Sequence, residues 1–119
     1  MAEKVVRNKS FEFALKIVEI YKYLISIKKE YVLSKQILRS GTAIGALIRE
    51  AEHAESKKDF IHKLAIAQKE ANETDYWLEL LFQSYYLPEN YYKDLHTQID
   101  ELQRIIAKII ITTKNKYDL

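Results

Sequence analysis

The fold class this chain predicts is all-α: an antiparallel, up-down-up-down four-helix bundle. Three observations carry that expectation. Apolar residues recur at alternating four- and three-residue steps through four successive stretches, the spacing that lines one face of a helix. Two glycines and one proline in 119 residues are too few breakers to punctuate hairpins or long loops. The links between stretches are short, which favours antiparallel neighbours with coiled-coil-like packing. No repeat, low-complexity run or linker divides the chain, so residues 1–119 form one domain, long enough to bury a core without metals or disulfides.

The first helix is expected to start at Ser10, a side chain suited to an N-cap, with Glu12 in the first turn, and to run to about Lys29. It carries two apolar faces. Phe11, Leu15, Val18 and Ile25 fall on one side, and Phe13, Ile17, Ile20, Leu24 and Ile27 fall on nearly the opposite side. A four-helix monomer needs only one of them. Large apolar side chains left in water would each forgo about 1.5–3 kcal/mol, which over one face sums to something comparable with the roughly 5–15 kcal/mol that holds a domain together. A homo-oligomer follows, with Phe13, Ile17, Ile20, Leu24 and Ile27 as its expected subunit contact.

The second helix places Leu33, Ile37, Ser40, Ile44, Leu47, Ala51 and Ala54 on one seam. Gly41 and Gly45 lie one turn apart within it. Glycine inside a helix costs roughly 1 kcal/mol relative to alanine, so the pair implies close approach of another helix, and both are assigned to the oligomer contact. Ser56-x-x-Asp59 then resembles a capping box, with Asp in place of the usual Glu or Gln, and restarts the chain as a third helix. Its seam is the cleanest of the four: Phe60, Leu64, Ala67, Ala71, Thr74, Leu78 and Leu81. This helix should end near Tyr85 or Tyr86, because Pro88 cannot continue it but can open the next. The fourth helix aligns Leu95, Ile99, Leu102, Ile106 and Ile109 and should fray by Thr113, leaving Lys114–Leu119 as a loose tail.

Composition narrows the function classes. The absence of cysteine removes disulfides, thiolate metal sites and a Cys nucleophile. Met1–Asn8 lacks the apolar core of a signal peptide, and no apolar stretch reaches the roughly 20 residues of a membrane span, so a soluble, cytoplasmic protein with no membrane partner is expected. Nineteen basic and seventeen acidic residues give a net charge of +2, which leaves any basic surface local.

The leading functional candidate is a line on the second helix, away from its seam, where Lys35, Arg39, Thr42, Ala46, Arg49 and His53 recur at four- and three-residue steps. Cations so spaced can neutralise successive phosphates, and small Thr42 and Ala46 would let a nucleic-acid backbone come close. An ordinary solvated helix face is the alternative, and Arg39 could instead reach Glu70 or Glu73 as a structural ion pair. Lys57 and Lys58 oppose the dipole at the start of the third helix, which favours an external anion. Glu50-x-x-His53 and Asp59-x-x-His62 have the spacing of di-iron carboxylate ligands, but they flank the turn at Ser56 rather than the middle of a bundle. Tyr85, Tyr86, Tyr91 and Tyr92 gather at the last turn, where they could cap the core, line a subunit contact or stack on bases. No catalytic residue, cofactor, metal or small-molecule substrate is indicated.

Three segments together resemble a known family: Arg39-Ser40-Gly41, then Ser56-x-x-Asp59-Phe60, then Glu70-x-x-Glu73-Thr74-x-Tyr76-Trp77. The chain resembles the small bacterial four-helix-bundle proteins associated with intervening sequences in 23S ribosomal RNA genes. That resemblance implies a homopentameric barrel of bundles with no known catalytic activity. It also implies a role in binding nucleic acid or a nucleic-acid-processing enzyme. Family members often carry Asn where this chain has Leu47, and small residues at the position of Arg49. The overall expectation is a non-catalytic homo-oligomer acting through a local basic surface; the alternative is a pure protein-interaction scaffold.

Overall fold

The computed structural model describes residues 1–119 and contains four helices: α1 (Ala2–Ser26), α2 (Leu33–Glu52), α3 (Lys57–Gln83) and α4 (Glu89–Tyr117). Each helix packs on its two neighbours around a ring, α1 on α2, α2 on α3, α3 on α4 and α4 on α1, and the diagonal backbones stay farther apart. The rod measures 49 × 22 × 19 Å. No helix is long and apolar enough to cross a membrane.

The helix 1 boundary differs from expectation. Ser10 is not a cap; it lies within α1, buried, and its hydroxyl donates to the Arg7 carbonyl at 3.0 Å. The buried seam runs Val6, Ser10, Phe13, Ile17, Ile20 and Leu24, in unbroken four- and three-residue steps. A small side chain is what that seam needs at Ser10, because Gly45 of α2 packs directly against it. Position in the packing, rather than cap propensity, decides the residue.

α2 begins without a side-chain cap at its first flanking residue, Val32. Glu30 supplies one instead. Its carboxylate accepts from the backbone N–H groups of Val32 (3.1 Å), Leu33 (3.0 Å) and Ser34 (2.7 Å). Burial pushes the Glu30 carboxyl up, but these three donors outweigh it and hold the group below the usual carboxylate range. A depressed folded-state pKa contributes stability that is present above the unfolded value and lost as pH falls through the folded value. Glu30→Gln should therefore lower stability at neutral pH and flatten the loss of stability between neutral pH and about pH 3, as urea unfolding at both ends would show. An unchanged acid limb would remove Glu30 from the account.

Along α2 the buried set is Ser34, Ile37, Ser40, Gly41, Ile44, Ile48 and Ala51, so Leu33 and Leu47 of the expected seam are only half-buried. Ser40 meets Thr74 of α3 in the core, their hydroxyl oxygens 2.9 Å apart. α3 starts as expected: Ser56 Oγ accepts from Asp59 N–H at 3.0 Å, and the Asp59 carboxylate accepts from Glu55 N–H at 3.3 Å. α4 opens after Pro88 and runs to Tyr117, so the expected fraying at Thr113 and the loose tail are corrected. Buried Ile109 and Ile110 hold that last stretch against the bundle, and the helix stops where Asp118 turns left-handed.

Candidate functional site

The two apolar faces of α1 are real, but the face expected at a subunit contact is the one that lies inside the bundle. Phe13, Ile17, Ile20 and Leu24, expected at a subunit contact, are buried in the monomer's own core. Ile27, the next step of that face, is exposed because it lies just past the end of α1. Gly41 and Gly45 are corrected with them, because the helix they admit is α1 of the same chain. A Cβ at Gly41 would lie 2.8 Å from Ile17 Cγ1, and one at Gly45 would lie 3.4 Å from the Ser10 carbonyl oxygen. The outward face is the other one: Phe11 and Leu15 are 49% and 52% exposed, with Val18 and Ile25 half-buried beside them.

Lys35, Arg39, Arg49 and His53 are all exposed on the outer side of α2. Two of these four cations are already engaged within the chain. The Arg39 guanidinium donates to Glu70 at 3.1 Å and also pairs with Glu73, which accepts from Trp77 Nε1 at 3.1 Å. Glu70, then Glu73, raise the Arg39 pKa, while the Trp77 hydrogen bond, ahead of the Arg39 contact, lowers that of Glu73. This is the structural ion pair weighed above. The Arg49 guanidinium lies 5.0 Å from the centre of the Phe11 ring, so it joins the basic line of α2 to the apolar face of α1.

A second basic region lies at one end of the bundle, where the start of α3 meets the end of α4. Lys57, Lys108 and Lys116 line one groove of about 550 Å³ with Val5, Phe60, Ile105, Ile109 and Tyr117, while Lys58 and Lys114 line a separate cleft at the same end with Ile61, Asp118 and Leu119. None of these five lysines has a carboxylate within ion-pair distance; the chain's salt bridges all involve other cations. The ammonium groups of Lys57 and Lys116 lie 4.9 and 5.4 Å from the Tyr117 ring centre. Lys57 and Lys58 were legible as candidates from their place on α3. Lys108, Lys114 and Lys116 were missed, although Lys108, Thr112 and Lys116 at four-residue steps mark one flank of a helix. Treating the tail as loose hid that signal.

The remaining polar groups are spent elsewhere. Glu50 pairs with Lys63 at 3.5 Å and Asp59 caps α3, so the two carboxylate–histidine pairs near Ser56 do not converge. No three His, Cys, Asp or Glu side chains come close enough to hold a metal ion. His96 finds a partner across helices, its Nδ1 2.8 Å from Asp75 Oδ1, and stacks on Tyr92, which in turn stacks on Phe82 at 4.5 Å. Burial, followed by the Asp75 and Glu79 charges, raises the Tyr92 pKa. Tyr85 of the same turn is 88% exposed.

An all-α four-helix bundle, distinguished by an apolar stripe and two basic regions on its outside, is the class these features define. The chain belongs to the family of 23S rRNA-intervening sequence proteins, whose model it matches over residues 2–108. Among solved structures it is similar to a crystal structure of a protein of unknown function from the S23 ribosomal protein family of Bacteroides thetaiotaomicron. The two share 54% identity and a TM-score of 0.91, covering 92% of this chain and 98% of that one. No curated protein matches the chain in sequence.

Proposed function

We propose that this protein is a non-catalytic homo-oligomer that binds nucleic acid through the lysine-rich end of each bundle. The observation that carries this reading is that Lys57, Lys58, Lys108, Lys114 and Lys116 line two clefts at one end of the bundle with no carboxylate within ion-pair distance, on a chain whose net charge is only +2. Unpaired lysines held by two helices can neutralise phosphates without first breaking internal ion pairs. The α2 line is the weaker candidate, since Arg39 is held there by two glutamates.

The half-exposed Phe11 and Leu15 support self-association through α1, and the family resemblance supports a pentamer. A ring of subunits would multiply each basic end and raise its effect on a polyanion. Fluorescence titration against a short RNA and a short DNA at several salt concentrations tests the proposal. Wild type should bind at low salt and weaken steeply as salt rises; each lysine removed should reduce the salt slope by about one. Lys58→Glu with Lys114→Glu should cost roughly tenfold or more, whereas Lys35→Glu should cost less. Absence of wild-type binding at low salt would favour a pure protein-interaction scaffold.

A further inference from the structure

The groove at the lysine-rich end has a floor as well as a rim, and the floor is what a simple phosphate clamp does not need. Phe60, Ile105, Ile109 and Tyr117 face it with apolar surface, and Tyr117 remains 43% exposed at the end of α4. Lys57 stands on the α3 side, and Lys108 and Lys116 stand on α4, about 12 Å apart along the helix at 1.5 Å per residue. Glu3 is the one carboxylate among the lining residues and belongs to α1. Cations beside an apolar recess fit a ligand whose flat, weakly polar body carries an adjacent anion.

We infer that this groove takes unpaired nucleotides of a single strand, with a base against the apolar floor and its phosphates at Lys57, Lys108 and Lys116. This rests on the nucleic-acid reading and deepens it by naming the strand form. A duplex keeps the faces of its bases stacked inside, so it could use the lysines but not the floor. An unpaired base presents a π-face, and bases stack on exposed aromatic rings with little regard to sequence. The volume of about 550 Å³ falls within the range of about 300–1,000 Å³ usual for small-ligand sites, suiting a base and its sugar. Salt should weaken the phosphate contacts and leave the base contact largely intact.

The test is fluorescence anisotropy on the full-length protein with three labelled probes: a single-stranded RNA of about twelve nucleotides, its duplex, and an abasic strand of the same length. The single strand should bind roughly tenfold tighter than either of the others, and Tyr117→Ala should remove about that advantage. Tyr117→Phe, which keeps the ring, should restore it. Circular dichroism on the same samples would show that each variant stays helical. Equal, salt-sensitive affinities for all three probes would overturn the base pocket while leaving the phosphate reading intact. A Tyr117→Ala protein that keeps the full single-strand preference would also overturn it. No binding of any probe by wild type at low salt would remove both.

Discussion

Replacing Leu24 with glutamate is expected to unfold the bundle, because Leu24 is wholly buried on the core seam of α1. Removing a fully buried leucine side chain costs about 2–5 kcal/mol. A carboxylate left there without a partner adds several kcal/mol more or stays protonated at a similar penalty. The sum approaches the whole stability of a domain, about 5–15 kcal/mol. Circular dichroism at room temperature should therefore show a largely unfolded chain. Leu15→Glu, on the outward face of the same helix, makes the opposite expectation: helicity and unfolding midpoint stay close to wild type, and light scattering reports a smaller particle. A folded Leu24→Glu protein with a wild-type midpoint would mean that the core faces the other way. An unchanged particle size for Leu15→Glu would remove the Phe11 and Leu15 face from self-association.

At the α1–α2 contact, Gly41→Leu is expected to lower stability by about 3 kcal/mol, the upper end of the usual overpacking cost. The first added carbon already meets Ile17 Cγ1 at 2.8 Å, Cγ2 at 2.9 Å and Cδ1 at 3.1 Å. Ile17 is fully buried and β-branched, with one strongly preferred side-chain rotamer in a helix, so it cannot swing aside. The gain in helix propensity, roughly 1 kcal/mol, does not offset this. Gly45 is different. A Cβ there would sit 3.4 Å from Ser10 O and Oγ, ordinary van der Waals contact, so Gly45→Ala should be neutral or stabilising by up to about 1 kcal/mol. Urea midpoints at constant m-value separate the two glycines. A Gly41→Leu protein as stable as wild type would show that α1 and α2 are free to separate there.

How legible each part was depends on whether a local pattern or a distant partner decides it. α3 and α4 were read nearly in full: Leu64, Ala67, Ala71, Thr74, Leu78 and Leu81 are buried, as are Leu95, Ile99, Leu102, Ile106 and Ile109. One seam per helix leaves no choice about which side turns inward. Ser56 was read as a cap because the bond it makes spans three residues. Glu30 was not, since the cap it forms reaches forward from the preceding loop. Of the basic end, Lys57 and Lys58 were visible through their misfit with the α3 dipole. Lys114 and Lys116 on α4 were not, because a tail frayed from Thr113 would hold them at no fixed place beside α3, whereas α4 continues to Tyr117.

By itself the sequence determined that there are four helices, where α3 and α4 turn inward, and that α1 has more apolar surface than one bundle can bury. Periodicity settles these matters because every residue of a helix seam repeats the same local angle. Tertiary structure alone decided which face of α1 lies inside. Both faces repeat at helical spacing, and what separates them is complementarity: the Val6 to Leu24 seam places Ser10 and Ile17 opposite Gly45 and Gly41, filling space that glycine leaves open. It likewise decided which cations are held in ion pairs, because the pair of Arg39 with Glu70 joins residues far apart in the chain.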